Sequence, residues 1–248
     1  MRKTIGGFLF IKDGIKYDYC FKETVESLLG FCDQVAVVDA GSTDGTVDVL
    51  LSMDDPRLTV NFLTGVEWDT LQGKEKLSYF QDMAAKMLNT DYQFLCQADE
   101  IVSEDSHEAI IKAVELGHEG YMCTRINLWG TPYDQLNVPL NRMPCSPEVI
   151  RLTKKGYWSY DDGENISAPA SFQFVNDIRI FHMGFVRKRS VMKDKIINMQ
   201  EGVFQVSHDS KLDGMEIFDP YAWFSKEELK PITESLPRVI QAWALERM

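Results

Sequence analysis

Residues 34–46 read QVAVVDAGSTDGT. The first six residues form an apolar run of the length of a buried strand, and the run ends in Asp39. A turn containing glycine and serine follows, and Thr43 or Asp44 is suited to cap a helix that reaches about residue 51. A buried strand, a tight turn and a helix in this order are typical of one unit of an α/β fold.

Strands and helices alternate on both sides of this unit. We predict further strands at residues 4–11, 58–63 and 94–96, and helices at residues 19–31 and 73–89. The alternation predicts a parallel sheet with helices on both faces, and ligands of such sheets bind beyond the carboxyl ends of the strands.

The remainder of the chain continues with less regular spacing. The predicted helices are residues 104–116, 185–199 and 225–247, the predicted strands are 120–128, 148–152 and 179–182, and residues 131–147 are predicted to be an irregular loop. The simplest interpretation is one compact domain, residues 1–200, with a C-terminal helical extension, residues 201–248, packed on that same domain.

Composition narrows the class of protein. The chain has 248 residues, 44% of them hydrophobic, and a formal net charge of −12. Such a chain can bury a sizeable core, and its acidity disfavours nucleic acid and anionic membrane surfaces as partners. Five widely spaced cysteines indicate reduced thiols, and neither a secretion signal nor a membrane-spanning run is evident. We therefore expect a cytoplasmic protein.

Two adjacent carboxylates follow a second apolar strand. Residues 93–102 read QFLCQADEIV, which places Asp99 and Glu100 where the strand ends. A hard divalent cation prefers oxygen ligands, and a cation stabilises the charge that builds on a diphosphate leaving group. The alternative is that these carboxylates solvate a loop or cap the helix that follows Ser103.

These two stretches together resemble a known family. VVDAGSTDGT, residues 37–46, resembles the nucleotide-binding motif of family 2 glycosyltransferases, commonly VVDDGSTDGT, with Ala40 in place of one aspartate. QADE, residues 97–100, stands where the family has its DXD metal motif. The resemblance covers residues 4–102 well and the rest more loosely. It implies a GT-A, Rossmann-like nucleotide-binding fold with a central mixed, mostly parallel sheet flanked by helices.

The resemblance assigns nucleotide contacts to the first motif. Asp39 would hydrogen-bond the base or the ribose, which favours a uracil-like base, while Gly41 and Ser42 would let the backbone approach the nucleotide. Lys74 stands where the family begins a helix beside the nucleotide, and phosphate contact or mere solvation are both open to it. Without QADE, the loop would be interpreted as an ordinary strand-to-helix turn.

The resemblance assigns the metal to the second motif and to a late histidine. Asp99 would be the direct ligand of Mn²⁺ or Mg²⁺. Gln97 departs from the DXD pattern and would hydrogen-bond the ribose or a metal-bound water, with Ala98 between the two. His182, in RIFHMGFVRKR, would complete the metal shell, and a packed histidine bonded to backbone is the alternative. Glu100 is as suited to hold the loop as to touch the ligand.

The remaining candidates are charged or aromatic. Arg187, with Lys188 and Lys193 at helical spacing, would neutralise the diphosphate or form a solvated helix face. For the general base we choose Glu164 first and Asp162 second, and a hydrated acidic turn is the alternative. Two tryptophans in predicted loops, Trp68 and Trp129, are candidates for stacking on a sugar.

We therefore predict a metal-dependent, inverting transferase that moves a sugar from a nucleoside diphosphate sugar, with UDP-sugars favoured, to the hydroxyl of a glycan or another acceptor. A non-catalytic nucleotide- or sugar-binding relative and a nucleotidyltransferase are the alternatives. The apolar faces of residues 225–248 are expected to pack on their own domain, and a homodimer contact or peripheral membrane contact are the other uses open to them.

Overall fold

The computed structural model describes residues 2–167, 169 and 171–247. Its first half is a parallel sheet with connecting helices. The strands are β1 (Ile5–Ile11), β2 (Gln34–Asp39), β3 (Leu58–Phe62) and β4 (Tyr92–Leu95), and the helices are α1 (Phe21–Leu29), α2 (Thr46–Leu51), α3 (Val66–Thr70) and α4 (Glu75–Lys86). The strands pair in the order β3-β2-β1-β4, all parallel. The mixed α/β fold with a sheet flanked by helices, which the sequence predicts, is confirmed.

The second half extends this sheet with mixed strands, and β9 and β10 form a separate two-stranded sheet. The strands are β5 (Glu100–Val102), β6 (Gly120–Trp129), β7 (Asp134–Leu136), β8 (Glu148–Lys154), β9 (Ser159–Tyr160), β10 (Asn165–Ile166), β11 (Phe172–Phe185) and β12 (Leu229–Pro231). The helices are α5 (His107–Leu116), α6 (Arg189–Ile197) and α7 (Arg238–Leu245). Short 3-10 helices lie at Glu104–Ser106, Leu140–Arg142, Ser210–Leu212, Pro220–Ala222 and Lys226–Glu228, and a π-helical turn at Asn198–Val203.

Strand β8 lies between β4 and β6 and is antiparallel to both. Strand β11 runs parallel to β6 and antiparallel to the short β5, which follows β4 along the chain. Because β5 and β4 are joined by the QADE turn, this pairing brings the end of β11 beside that turn. The sheet topology therefore positions two distant segments of the chain next to each other.

Alternate residues of β1 face two different apolar clusters. Leu9 packs with Leu28 of α1 and Ile110 of α5 on one face of the sheet. Phe8 packs with Phe80 of α4 on the other face. Successive side chains of a strand point to opposite faces, so a strand that is apolar on both faces must be covered by helices on both sides.

The C-terminal region is less helical than the sequence predicts. Of residues 225–247, only Arg238–Leu245 form an α-helix. Pro231 and Pro237 explain this, since proline lacks the N–H that a continuing helix needs. Residues 229–231 instead form β12, which pairs with β7 inside the predicted loop 131–147.

Helix α7 nevertheless packs against the rest of the protein. Ile240 and Trp243 share an apolar cluster with Ile101 and Phe181 of the central sheet. The predicted division of the chain at residue 200 falls inside the π-helical turn and stays a prediction. Among the described residues, no helix combines the length and the apolar character needed to cross a bilayer.

Candidate functional site

A cavity of about 360 Å³ lies at the carboxyl ends of β1 and β4. Its charged and polar lining includes Lys12 and Asp13 after β1, Gln97 to Asp99 after β4, residues 162–164, and His182 and Lys195. This is the edge at which ligands of α/β sheets bind. Asp99 and His182, which the sequence predicts to share a site, line the same cavity.

Asp99 is held by an arginine behind the cavity wall. Arg187 Nη2 donates to Asp99 Oδ2 at 2.6 Å, while its Nη1 donates to the carbonyl oxygens of Tyr17 and Asp18 at 3.0 and 2.9 Å. The guanidinium also lies 4.0 Å from the ring centroid of Tyr19. Arg187 is 3% exposed and does not line the cavity. It therefore orients Asp99 and leaves Oδ1 facing the cavity residue His182.

The histidine presents an unprotonated nitrogen to Asp99. His182 Nδ1 lies 3.0 Å from Asn127 Oδ1, and Asn127 Nδ2 donates to the carbonyl oxygen of Cys145 at 3.0 Å. Since that second bond orients the amide, Asn127 Oδ1 must accept, Nδ1 carries the proton, and Nε2 keeps its lone pair. Burial lowers the pKa of His182 to about 4, although Asp99 acts in the opposite direction, so the ring is neutral at physiological pH.

The donor set at this point fits a divalent cation. Asp99 Oδ1 and His182 Nε2 are 3.9 Å apart, which allows one ion to contact a carboxylate oxygen and an imidazole nitrogen. A Cβ at Gly184 would lie 2.4 Å from His182 Nε2, so the glycine keeps the space beside that nitrogen open. The described residues contain no group of three or more His, Cys, Asp or Glu suited to a metal. A cation here would take its other ligands from substrate and water.

Glu100 has a structural role at the end of the strand. Its side chain is fully buried, and Arg151 donates to both of its oxygens, at 3.1 and 2.9 Å. Arg125 adds a third contact at 3.3 Å, and the Gln97 backbone N–H donates to Glu100 Oε2 at 3.0 Å. Burial alone would raise the pKa of Glu100, but the two guanidiniums outweigh it and lower the pKa to about 2. Glu100 therefore fixes the turn that presents Asp99.

The acidic turn predicted to hold the general base reaches the cavity. Asp162 and Glu164 both line it, and Gly163 between them adopts a φ of +76° and packs against Leu77 of α4. Glu164 forms an ion pair with the buried Arg125, which also contacts Glu100. Asp162 Oδ1 accepts from the Glu164 N–H at 3.1 Å, and the described residues give its carboxylate no ion-pair partner.

The first motif lies one layer behind the cavity wall. Asp39 is fully buried, and its Oδ1 accepts from the N–H groups of Gly41 and Ser42 at 3.0 and 2.8 Å. The Gly41 carbonyl accepts from Lys12 Nζ at 2.7 Å, and Ser42 Oγ accepts from the Asp13 N–H at 2.7 Å. The loop thus supports two lining residues without lining the cavity itself.

Two residues of this loop, Gly41 and Asp39, have features that an ordinary strand-to-helix turn does not need. Gly41 has a φ of +88°, and a Cβ there would lie 2.3 Å from the Cα of Gly65, so only glycine fits. Among the described residues, Asp39 Oδ2 is buried and has no hydrogen-bond partner. Buried carboxylate oxygens are normally satisfied, so an unpartnered one behind the cavity wall is exceptional.

The structure thus brings together only part of the predicted set. The cavity gathers Gln97, Ala98, Asp99, Asp162, Glu164 and His182, whereas Asp39, Gly41, Ser42, Lys74 and Arg187 do not line it. Lys74 forms an ion pair with Asp161 on the surface. Of the two candidate tryptophans, Trp68 lines the cavity, and Trp129 is buried and donates to the Pro220 carbonyl at 2.8 Å.

Several residues of the site are absent from the sequence prediction, among them Lys12 and Asp13 of the lining. Asn127 lies between apolar residues near the end of β6, after Thr124 and Arg125, and a polar residue at this position could have drawn attention to it. Lys195 lines the cavity two residues beyond Lys193, the last member of the predicted basic group. Nothing in the local sequence separates Lys195 from its neighbours, because the helix direction that selects it depends on how α6 packs.

Comparisons with known proteins give structural similarity alone. No protein-family model matches the chain, and no curated protein matches it. S. aureus TarS 1-349 aligns at 13% identity over 79% of this chain and 66% of that chain, with a TM-score of 0.47. A longer S. aureus TarS chain aligns at 13% identity over 79% and 39%, with a TM-score of 0.49.

The structure of TarS 1-349 in complex with UDP-GlcNAc aligns at 11% identity over 78% of this chain and 64% of that chain, with a TM-score of 0.49. This chain therefore spans just under two thirds of TarS 1-349 and well under half of the longer TarS chain.

Proposed function

We propose that the chain is a glycosyltransferase of the GT-A fold and family 2 type, which moves a sugar from a nucleoside diphosphate sugar to an acceptor hydroxyl. One observation carries this proposal. Asp99, His182 and the acidic turn at residues 162–164 share a single cavity at the carboxyl ends of the parallel strands. The VVDAGSTDGT loop directly supports the wall of that cavity.

The nucleotide end of the donor is assigned to the part of the cavity beside β1. Trp68 and Tyr17 line it and offer flat faces to a base or a sugar. The unpartnered Asp39 Oδ2 lies behind this wall, so it would accept from a ring N–H of a uracil-like base only after the segment of Lys12 and Asp13 moves aside. These features support a UDP-sugar as the favoured donor.

Asp99 Oδ1 and His182 Nε2 would hold a divalent cation, Mn²⁺ or Mg²⁺, which supplies positive charge to the departing diphosphate. Arg187 keeps Asp99 in place through the opposite carboxylate oxygen. Asn127 keeps the imidazole in the tautomer whose lone pair faces Asp99.

Inversion needs a carboxylate that takes the proton of the acceptor hydroxyl. Both carboxylates of the acidic turn line the cavity, but Glu164 already shares an ion pair with Arg125. Asp162 has no such partner among the described residues, and this favours Asp162 over Glu164, the reverse of the order that the sequence favours. Accordingly, Asp162→Asn should reduce turnover more than Glu164→Gln does relative to the amount of folded enzyme.

The test is a panel of nucleotide sugars incubated with the protein and Mn²⁺, Mg²⁺ or a chelator. We expect metal-dependent release of the nucleoside diphosphate from at least one UDP-sugar, and loss of that release in Asp99→Asn. Full activity in Asp99→Asn or in the chelator would contradict the assigned metal site. Tight nucleotide binding without turnover of any donor would favour the non-catalytic alternative.

The nucleotidyltransferase alternative gains no support from the first strand. Gly6 and Gly7 lie inside β1, where added Cβ atoms would collide with Leu88 and Leu28. These glycines therefore allow helices to pack closely on the sheet, and they do not form a phosphate-binding loop after it.

A further inference from the structure

Lys195 is a cation of the cavity lining with almost no partner. It lies in the last turns of α6, and its side chain reaches the same cavity as Asp99 and His182. Its Nζ donates one long hydrogen bond, 3.4 Å, to the carbonyl oxygen of Gly184, and lies 5.5 Å from the ring centroid of Phe185. An ammonium can donate three hydrogen bonds, so most of its capacity is unused.

The other charges around the cavity are largely paired. Asp99 pairs with Arg187 and Glu164 with Arg125, and Lys12 lies 3.2 Å from Asp13. The buried Glu100 pairs with Arg151 and Arg125. No carboxylate in the described part of the chain lies within 4.0 Å of Lys195 Nζ, the distance that defines an ion pair.

This isolation is unusual in an acidic protein. The chain has 38 acidic residues against 26 basic ones, so a counterion for Lys195 would be easy to supply from the protein itself. Lys195 is half-buried, and a charge partly removed from water without a partner is unfavourable. Burial and the nearby Arg187 lower the pKa of Lys195 to about 8, in keeping with that cost. Such a group is stabilised when a bound anion supplies the missing charge.

We propose that Lys195 binds the diphosphate of the nucleotide donor directly, and that this contact acts without any divalent cation. The inference rests on the proposed function, because it assumes that the cavity takes a nucleoside diphosphate. It assigns to Lys195 the phosphate contact that the family resemblance gives to Arg187. Both terminal nitrogens of Arg187 are engaged behind the wall, and its Nε is buried there as well.

The neighbouring lysine on the same helix provides a matched control. Lys193 Nζ donates to the carbonyl oxygen of Met215 at 2.8 Å and does not line the cavity. Replacing either lysine by methionine keeps the unbranched stem and removes one positive charge. A difference in UDP affinity between the two variants therefore reflects the position of the lysine and not the change in net charge.

The experiment is calorimetric titration of the full chain with UDP and with uridine in the presence of EDTA. Charge-assisted hydrogen bonds are strong enough that Lys195→Met should weaken UDP binding by about ten- to a hundredfold. Uridine binding should not change, Lys195→Arg should retain most of the affinity, and Lys193→Met should match the wild type. Equal UDP affinity in Lys195→Met and wild type would overturn the inference and leave the proposed function standing.

A second measurement needs no variant and covers the case in which Lys195→Met does not fold. Inorganic pyrophosphate should displace UDP from the wild-type protein in EDTA, and failure to displace it would overturn the inference. A wild-type protein that binds no nucleoside diphosphate, with or without metal, would overturn both the proposed function and the inference. The two failures are therefore distinguishable.

Discussion

Asn127 sets the tautomer of His182, although Asn127 itself does not contact the proposed metal ion. Its oxygen accepts from Nδ1 and its nitrogen is committed to the Cys145 carbonyl. Such outer partners of a metal-binding histidine fix the tautomer, and their loss typically costs about 10–100-fold in metal affinity. We expect Asn127→Leu to raise the Mn²⁺ concentration for half-maximal UDP-sugar turnover by about that factor.

Asn176 supplies a control for this substitution. It lies in β11 and accepts from Thr124 Oγ1 at 3.2 Å in an exposed position. Asn176→Leu should leave the Mn²⁺ requirement unchanged. If both variants need the same amount of metal as the wild type, Asn127 does not act through His182.

The buried Glu100 predicts a specific pH dependence of stability. Its pKa is about 2 in the folded protein against an ordinary value of 4.5. A lowered folded pKa gives stability that is fully present above about pH 4.5 and is lost as the pH falls towards 2. The difference corresponds to about 3 kcal/mol of unfolding free energy.

Urea denaturation between pH 2 and pH 6 measures this contribution. The wild type should lose stability steeply below about pH 4.5. Glu100→Gln should be less stable at neutral pH, by about 3–5 kcal/mol, since it leaves the buried Arg151 without a carboxylate and Arg125 with Glu164 alone. Its stability should also change less with pH in the acidic range. If Glu100→Gln loses stability below about pH 4.5 as steeply as the wild type, other carboxylates are responsible for the acid dependence.

For single residues, the sequence predicts a role where that role follows from the position of the residue within or after a strand. Asp99 follows a strand and His182 lies in one, so both could be located from the apolar pattern and the family resemblance. Arg187 and Lys195 could not be ranked from the sequence, because both lie in a basic segment. Their roles depend on how α6 and the residues just before it pack against the cavity. That contact is set by packing between distant segments.

Helix α7 is attached to the site region by a buried ion pair. Arg247 Nε donates to Asp18 Oδ2 at 2.9 Å, and its guanidinium lies 3.7 Å from the ring centroid of Trp243. The Asp18 carbonyl in turn accepts from Arg187, which holds Asp99. The C-terminal segment is therefore linked to the proposed metal ligand through Asp18 and Arg187.

Replacing Arg247 should lower the stability of the protein, because the contact with Asp18 attaches helix α7. Arg247→Met leaves Asp18 buried with only backbone donors, and we expect a loss of about 3–5 kcal/mol in unfolding free energy. Arg238→Met is the matched control, because Arg238 pairs with Glu104 from an 87% exposed side chain and should cost about 0–1 kcal/mol. Equal urea midpoints for the two variants would contradict the structural role of the Asp18 contact.

The helices and strands show where local patterns are sufficient. Strands β1 and β2 were predicted within a residue because each contains a continuous apolar run that covers both faces. The extent of the C-terminal helix was wrong, since Pro231 and Pro237 confine it to Arg238–Leu245. Strands β7 and β12 have three residues each, and they are defined by pairing with each other and not by their own sequence.

Across the whole molecule, the parallel half of the sheet followed from the alternation of strands and helices. The other half did not, because β8 inserts between β4 and β6 and β11 returns to pair with β5. These pairings have large sequence separations, and no local pattern specifies them. They are nevertheless what bring His182 beside Asp99, so the site is a property of the complete sheet.

Because both strand systems contribute to the cavity, a bound donor should stabilise the entire fold. Ligand at 100 times its dissociation constant adds about 2.7 kcal/mol, which for a domain of this size corresponds to a rise in Tm of about 5–10 °C. We expect this rise with UDP plus Mn²⁺, and a smaller one with UDP in EDTA, where Lys195 remains but the cation is absent. Asp99→Asn should reduce the first value to the second. Equal shifts with and without Mn²⁺ in the wild type would argue that the cavity binds nucleotide without using Asp99 and His182 as metal ligands.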